Sequence, residues 1–367
     1  MPHAPGNDFD HAALPRAGVL IVNLGTPAAP TPAAVRRYLA EFLADPRVVE
    51  LPRLLWLPIL HGVVLPLRAR RSAHAYAQIW RPDGSPLLAL SRRLASGIRA
   101  ALQARFPDRF AVELAMRYGD PGVEAALARL LQAGSDRLVV LPLYPQYSAA
   151  TTASTFDALA RALAHHRRLP ELRFVAQYHD DPGYVRALVA AIQAHWKSHG
   201  RGDCLLFSFH GLPERSLRDG DPYHCQCHKT ARLVAEALGL APERWRVAFQ
   251  SRFGRQEWLK PYTEPTLAEL ARTGTVDVDV VSAGFAVDCL ETLEEIDLRY
   301  RAAFLAAGGR RFGYIPCLND SPAHVEALTG IVLAHAAGWP QCGADFATEL
   351  AGREAGAARA RAMGAPR

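Results

Sequence analysis

The sequence lacks segments that would carry the chain into or across a membrane. Prolines, polar and charged residues interrupt every apolar stretch before it reaches the roughly 18 residues of a membrane-spanning helix. The N-terminus, MPHAPGNDFDHAALPR, has no basic region followed by an apolar one, so no signal peptide is expected. Six cysteines in 367 residues do not form the pattern of a disulfide framework. We therefore expect a reducing, cytoplasmic location.

Strongly basic segments are also absent. Lysine and arginine number 42 against 36 aspartates and glutamates, which gives a formal net charge of +6, but they form no long block. Nucleic acid is therefore not an expected partner. The modest basic excess favours an acidic small molecule or an anionic membrane surface instead.

Several common catalytic motifs do not occur. The sequence contains no Walker phosphate loop, no HExxH zinc motif and no Ser-His-Asp order. An apolar strand at residues 18–24 leads into a tight turn at residues 25–27, but this turn is not the GxGxxG of dinucleotide-binding proteins. The motifs therefore give no support to a nucleotide-dependent enzyme, a zinc protease or a serine hydrolase.

The sequence does contain a repeated alternation of short apolar strands and helical patterns. The predicted strands are 18–24, 112–118, 137–143, 172–178, 203–209, 246–250, 276–283 and 313–315. The predicted helices are 32–43, 93–105, 121–133, 182–199, 229–238, 261–273, 290–307 and 321–335. This order predicts an α/β fold of two similar halves, each a parallel sheet flanked by helices. Residues 1–16 are expected to be disordered, and the tail after Gly352 to be a frayed helix or disordered.

The most apolar segment is LPRLLWLPILHGVVLPL, at residues 51–67. Its three prolines exclude a straight spanning helix, and three arginines follow within four residues. Two interpretations stay open. The segment either packs on the core or forms an apolar lip at the surface, suited to a flat hydrophobic ligand or a membrane face.

The stretch LLFSFHGLPER, at residues 205–215, places a histidine at the end of a buried strand. Apolar residues precede His210, and Gly211 and Pro213 end the strand. Open α/β sheets bind ligands at the carboxyl ends of their strands, and imidazole can bind a metal or accept a proton near neutral pH. The plainer alternative is a histidine that is merely satisfied by hydrogen bonds at a strand end.

A row of acids lies in GFAVDCLETLEEIDLR, at residues 284–299. Their spacing predicts that Asp288, Glu291 and Glu295 share one face of an α-helix, with Asp288 as its N-cap. Acids in a first turn also complement the helix dipole, which accounts for Asp288 and Glu291 without any chemistry. Alternatively, a line of carboxylates beside a strand end would guide protons or a divalent cation.

Four potential metal ligands lie within HCQCH, at residues 224–228. Cys225 and Cys227 could hold zinc or part of a cluster, although their spacing is not the CxxC of common sites. The alternative is that both are plain buried residues. Two more residues are equally open. Trp258 would either line the binding site of a flat ligand or fill a gap in the core. Arg117 would either bind a ligand carboxylate or form an ion pair at the surface.

These motifs occur together, and in this order, in one known family. They are VNLGTP (22–27), DGSPL (83–87), MRYG (116–119), LYPQYSAATTAS (143–154), SFHGLPER (208–215), GDPYHCQC (220–227), FQSRFGRQEWLKPYT (249–263) and GFAVDCLETLEEID (284–297). The chain resembles the ferrochelatases, which insert ferrous iron into a porphyrin in haem synthesis. The resemblance spans about residues 18–337 and is strongest to the proteobacterial branch, which acts on protoporphyrin IX.

The resemblance implies an architecture. Two Rossmann-like domains, expected at residues 17–180 and 181–320, would enclose a porphyrin cleft. Residues 321–350 would return to the first domain, and residues 351–367 would form a flexible tail. Segment 51–67 matches the lip of the cleft, which implies peripheral contact with the inner membrane.

The resemblance also implies roles for individual residues. His210 matches the active-site histidine and Glu291 the glutamate that faces it across the macrocycle, so both are expected to handle the metal and the pyrrole protons. Asp288 and Glu295 match neighbouring acids on a proton or metal path. Positions that would line the porphyrin pocket are Arg117, Tyr118, Tyr147, Trp258 and Phe285.

The expected partners are Fe²⁺ and protoporphyrin IX as substrates, with no tightly bound cofactor and a monomeric chain. Animal ferrochelatases hold a [2Fe–2S] cluster. The position of its internal cysteine is Ala149 here, and no cysteine follows Cys342. That cluster is therefore not expected, nor is another at Cys225 and Cys227.

Three rival functions stay open beside protoporphyrin metallation. A coproporphyrin III ferrochelatase would perform the same reaction on a more carboxylated ring. A cobalt chelatase would use the same fold in corrinoid synthesis. A non-catalytic porphyrin or haem carrier would need the pocket but not the pair formed by His210 and Glu291.

Overall fold

The computed structural model describes residues 16–252, 254, 256–343 and 346–365. The disorder expected for residues 1–15 lies outside this part of the chain, as do Phe253 and Arg255 of the motif at 249–263.

Each half of the chain contains one parallel sheet of four strands, as the sequence predicted. The first sheet contains β1 (Arg16–Gly25), β2 (Phe110–Tyr118), β3 (Ser135–Pro142) and β4 (Glu171–Phe174), in the order β2-β1-β3-β4. The second contains β5 (Cys204–His210), β6 (Trp245–Gln250), β7 (Asp277–Val281) and β8 (Arg311–Ile315), in the order β6-β5-β7-β8. The inner strands β1 and β5 are apolar almost throughout because helices cover both faces of each sheet.

Helices connect the strands. The α-helices are α1 (Pro32–Leu43), α2 (Arg53–Ile59), α3 (Leu65–Ile79), α4 (Pro86–Arg105), α5 (Val123–Gln132), α6 (Ser154–Leu163), α7 (Pro182–His199), α8 (Glu214–Arg218), α9 (Tyr223–Ala237), α10 (Thr263–Arg272), α11 (Arg301–Ala306), α12 (Pro322–His335) and α13 (Phe346–Ala362). Three further segments are π-helical: Leu60–Val64, Ala149–Ala153 and Glu291–Tyr300.

The helices differ from the sequence prediction in three places. The apolar segment forms α2, a π-helical turn and α3 in direct succession, so its prolines do not end the helix. In a π-turn the backbone hydrogen bonds connect residues five apart and not four. This change in pattern lets the chain stay helical although proline has no N–H to donate. The α-helix expected at 290–307 is π-helical over its first ten residues. The flexible tail expected from 351 is helical to Ala362, and its Arg353 pairs with Asp136 at 2.8 Å.

One apolar core joins the two halves. It contains residues of the first sheet such as Val19 together with residues of the second such as Phe207. The last segments of the chain also cross between the halves. On α12, Val325 lies against Gly97 of α4, and Glu326 accepts a hydrogen bond from Arg105 at 2.6 Å. The carboxyl ends of β5 and β6 are thereby held in a fixed position relative to the first sheet.

Candidate active site

The His210 side chain is fixed in one tautomer at the carboxyl end of β5. Its Nδ1 lies 2.6 Å from the carbonyl oxygen of Gly211. A carbonyl oxygen can only accept a hydrogen bond, so in the neutral ring Nδ1 carries the proton. The Nε2 lone pair is then free, and this atom has no hydrogen-bond partner in the part of the chain that the structure describes. His210 therefore presents a base or metal ligand.

The turn after His210 needs a glycine and is supported by Trp258. The Gly211 amide donates to the Gln250 carbonyl oxygen at 2.7 Å, and a Cβ at Gly211 would lie 2.7 Å from that same oxygen. It would also lie 3.1 Å from the ring of Trp258, which is buried. Trp258 thus packs on the backbone that positions His210. Its contact with a porphyrin stays a prediction.

Gln250 links the histidine strand to the acidic helix. It is the β6 residue paired with His210 across the sheet. Its Oε1 accepts from Ser208 Oγ at 2.7 Å, and its Nε2 donates to the backbone carbonyl of Glu291 at 2.8 Å. One buried amide side chain therefore brings His210 and Glu291 to the same edge of the second sheet. Sequence reasoning missed this residue, although its position at the strand end beside His210 was visible.

Glu291 begins the π-helix Glu291–Tyr300. A π-helix bonds each residue to the fifth along the chain, so it holds more residues per turn than an α-helix. Its buried residues are Thr292, Glu295, Ile296 and Tyr300. This winding keeps Glu291 and Glu295 on neighbouring turns of one side. π-Helical segments are rare and are frequent at functional sites.

The surroundings of Glu291 come from the first half of the chain. Burial raises the pKa of Tyr76 well above its usual value, and the Glu291 carboxylate raises it further. The pKa of Tyr38 is also raised, first by burial and then by Tyr76 and Glu291. Both phenols are therefore neutral at physiological pH. Burial lowers the pKa of Arg68, and the Glu291 charge opposes that shift. Sequence reasoning missed all three residues, which occupy buried or half-buried positions of ordinary helices in α1 and α3.

Asp288 anchors the start of this segment to the end of β8. Its Oδ1 accepts from the Tyr314 hydroxyl and from the Cys317 amide at 3.1 Å, and its Oδ2 accepts from Asn319 Nδ2 at 2.8 Å. The predicted N-cap is wrong because the cap position is Leu290, and the helix reaches the Asp288 carboxylate through the Thr292 hydroxyl, which donates to Oδ1 at 3.2 Å. The role of Asp288 on a path for protons or metal ions stays a prediction, and it would require Asp288 to release these donors.

Glu295 anchors the loop that follows β6. Its Oε1 accepts from the Ser251 amide at 3.0 Å and the Tyr300 hydroxyl at 2.5 Å, and its Oε2 accepts from Ser251 Oγ at 2.5 Å. Ser251 has a positive φ of 64°, a backbone conformation that side chains other than glycine rarely adopt. The carboxylate thus holds a strained turn beside Gln250. Its path role also stays a prediction.

Arg117 and Tyr118 lie in a buried polar cluster at the end of β2. The Arg117 guanidinium pairs with Asp45, and Arg117 Nε donates to Ser154 Oγ at 2.7 Å. Tyr118, which is 1% exposed, donates to Asp45 at 2.9 Å. Burial would raise the pKa of Asp45, but these hydrogen bonds and the Arg117 charge hold it below its usual value. The ion pair expected as the alternative for Arg117 is therefore present, but it is buried and not at the surface. Porphyrin contact by either residue stays a prediction.

Tyr147 and Phe285 are both half-buried. The Phe285 ring centroid lies 6.5 Å from that of His210, which places an aromatic side chain directly beside the imidazole. The Tyr147 amide donates to Gln226 Oε1 of α9 at 2.7 Å, so the loop after β3 is tied to the second half. Their porphyrin contacts stay predictions as well.

Cys225 and Cys227 lie in the first turns of α9. Residues that are two positions apart on an α-helix point to different sides of it. Cys225 is accordingly exposed, whereas Cys227 is buried in the core and burial raises the pKa of its thiol well above the usual value. The two sulfurs as placed do not converge on one ion, and in the described residues no group of three or more His, Cys, Asp or Glu side chains is arranged to hold a metal.

Comparisons with known proteins address the whole chain. A sequence model of the ferrochelatase family matches residues 16–336. A ferrochelatase of Azoarcus sp. (strain BH72) is 56% identical over 97% of this chain and 96% of its own length, and one of Nitrosococcus oceani is 54% identical over 97% of each. The solved structure of SirB from Bacillus subtilis with Fe³⁺ shares the fold, with a TM-score of 0.50 at 13% identity over 88% of this chain and 96% of that one.

The family match spans both sheets and the α12 crossover, and it includes the strand end of His210 and the π-helix of Glu291. Two relatives above 50% identity cover almost the full chain. The chain is therefore an enzyme of the ferrochelatase family, the chelatases that insert iron into a porphyrin in haem synthesis.

Proposed function

We propose that the protein inserts Fe²⁺ into protoporphyrin IX to give protohaem, with His210 and Glu291 on opposite sides of the ring. The observation that carries this proposal is the single Gln250 side chain between them. It pairs with the histidine strand and donates to the Glu291 carbonyl at 2.8 Å. A proton acceptor and a carboxylate are thus fixed at one sheet edge, on two separate elements.

The reaction explains why two such groups are needed. A free-base porphyrin carries two pyrrole N–H bonds, and both break as Fe²⁺ becomes bound to the ring nitrogens. The free Nε2 of His210 accepts the two protons in turn on one face and releases each of them to water, and the Glu291 carboxylate attracts the cation on the other face. A ring bent out of plane exposes its nitrogen lone pairs, and aromatic walls such as Phe285 would stabilise that shape through binding energy.

The neighbouring residues support this division of roles. Arg68, Tyr38 and Tyr76 of the first half of the chain lie within electrostatic reach of Glu291, and the two neutral phenols would not replace it as a base. Asp288 and Glu295 would pass protons or metal ions only by exchanging their present donors. Among the pocket residues, Phe285 and Tyr147 need no rearrangement to meet the ring, whereas Arg117 would first leave Asp45.

Turnover on two porphyrins tests the substrate. With Fe²⁺ under anaerobic conditions, the purified chain is expected to form protohaem at least about tenfold faster than coprohaem, because a hydrophobic site favours the less carboxylated ring. Faster turnover of coproporphyrin III would instead assign the rival substrate. Tight porphyrin binding without any metal insertion would identify a carrier.

The apolar segment forms an exposed lip. Its exposed apolar side chains are Leu51, Leu54, Leu55, Ile59, Val63 and Leu67. Leu54 is 91% and Leu67 73% exposed, and Arg70 and Arg71 follow on the same helix. In the described residues no helix is long and apolar enough to cross a membrane. We propose that the lip of this cytoplasmic chain contacts the inner membrane peripherally, inserting leucines beneath a basic rim.

Flotation with anionic liposomes tests the lip. Leu54→Ser together with Leu67→Ser is expected to reduce membrane binding at least tenfold, since each leucine that enters the acyl region contributes about 1.5–3 kcal/mol. Leu169→Ser, at a 62% exposed position after α6, is the matched control and should float like the parent chain. Unchanged flotation of the double variant would exclude the lip as the contact.

A further inference from the structure

Two half-buried histidines of α9 have no role in the proposed reaction. His224 and His228 lie one turn apart, with ring centroids 4.5 Å from each other and ring planes tilted by 50°. Neither ring hydrogen-bonds to a described residue. Their nitrogens are also not among the side-chain atoms that are fully buried and lack a hydrogen-bond partner. The lone pairs of both imidazoles are therefore reachable from solution.

Apolar packing holds the two rings in place. Both rest on Phe249 of β6, with centroid distances of 5.7 Å for His224 and 6.1 Å for His228. Successive side chains of a strand point to opposite faces of the sheet, so Phe249 faces away from the side chain of Gln250. The α9 histidine pair thus lies across the sheet from the Gln250–Glu291 contact and is separate from the porphyrin site.

The protonation state suits metal binding. Burial lowers the pKa of His224, and burial together with the charge of its neighbour lowers the pKa of His228. Both rings are therefore neutral at physiological pH, which is the form that donates a lone pair to a metal. Residues four apart on an α-helix are neighbours on its surface, a spacing that allows two imidazoles to share one ion.

A second pair on α7 shows that this spacing alone is not sufficient. The rings of His195 and His199 lie 4.4 Å apart but are nearly parallel, at 19°. Lone pairs lie in the plane of each ring, so those of stacked rings run side by side and do not meet. His195 Nε2 is also buried without a partner, and His199 Nδ1 lies 3.2 Å from the His195 carbonyl oxygen. The α7 pair therefore serves as an internal control.

We propose that His224 and His228 together bind one divalent first-row transition-metal ion at the surface of α9. Imidazole nitrogen is a preferred ligand of Zn²⁺, Ni²⁺, Cu²⁺ and Fe²⁺, and water would complete the coordination. The exposed Cys225 lies on the adjoining surface, but its sulfur does not complete a three-ligand group as placed. The site is thus an open, two-histidine site, and it does not depend on how the porphyrin reaction proceeds.

Titration with Ni²⁺ tests the proposal on the full chain after treatment with a chelator. The parent protein is expected to bind one more Ni²⁺ per chain than either His224→Phe or His228→Phe, as measured by calorimetry. Phenylalanine keeps an aromatic ring on Phe249, and His228→Gln provides a second variant should either fail to fold. His199→Phe, which alters the α7 pair, is expected to bind like the parent.

Several outcomes would overturn the assignment. Equal stoichiometry and affinity in the parent and both α9 variants would show that the pair binds nothing. Loss of the same Ni²⁺ in His199→Phe or His210→Ala would place the ion elsewhere. With Cu²⁺ as a second probe, electron paramagnetic resonance should show hyperfine coupling to two nitrogens that each α9 variant reduces, and unchanged coupling would likewise contradict the proposal.

Discussion

Replacing His210 by alanine is expected to abolish iron insertion while leaving the fold intact. The free Nε2 belongs to the imidazole that lies beside Phe285 at this strand end, and a positioned proton acceptor typically contributes about 10²–10⁴-fold to a rate. The rate is therefore expected to fall by at least about 10²-fold, the low end of that range. Haem formation from Fe²⁺ and protoporphyrin, followed anaerobically, measures it.

The fold should tolerate this change. The His210 ring is half-buried and makes one hydrogen bond to the adjacent carbonyl, and a bond of this kind is worth about 1 kcal/mol. Circular dichroism and porphyrin binding should therefore match those of the parent. His199→Ala is the matched histidine control, at an exposed position on α7. Near-normal turnover of the folded His210→Ala chain would remove this residue from the mechanism.

The sheets could be predicted because each strand carries its own signal. Eight apolar runs, each ended by glycine, proline or polar residues, gave eight strands within a few residues of their observed bounds. His210 was placed correctly at a strand end for the same reason. That His210 acts together with Glu291 was predicted only from the resemblance to the family, because neither local sequence indicates the other residue.

Other features depend on contacts between distant residues. The spacing of the acids at 288, 291 and 295 fits an α-helix, and nothing in the sequence of the segment predicts a π-helix. What distinguishes the three carboxylates is which donors meet them in space. Asp288 is bonded to the end of β8 and Glu295 to Ser251, whereas the hydrogen bond from Gln250 of β6 reaches the backbone carbonyl of Glu291 and not its carboxylate.

Arg117 illustrates the same limit. Its position at the end of β2 is visible in the sequence, but its partner Asp45 lies 72 residues away, beyond α1. Removing one member of a buried ion pair leaves an unpaired charge, so the two residues depend on each other. The presence of Arg117 at this strand end is therefore explained by a structural role as well as by a ligand contact, and its structural partner is visible only in three dimensions.

Replacing Glu291 by glutamine should have the second large effect. Glutamine has the same shape but no charge, and the hydrogen bond from Gln250 goes to the backbone carbonyl, so it survives the change. The scaffold that joins the two catalytic elements should therefore persist. We expect metal insertion to fall by at least about 10²-fold, the low end for loss of a positioned acid–base group, with porphyrin affinity changed far less. Stopped-flow haem formation and fluorescence binding give the two quantities separately.

Glu294→Gln makes the same chemical change on the same π-helix and is the matched control. Glu294 lies toward Arg299 at 3.4 Å rather than toward the tyrosines of α1 and α3, so its variant should keep nearly full turnover. Equal losses in the two variants would attribute the effect to the charge of the helix as a whole. A selective loss in Glu291→Gln would assign it to this one carboxylate, whose charge acts on Arg68, Tyr38 and Tyr76 of the first half of the chain.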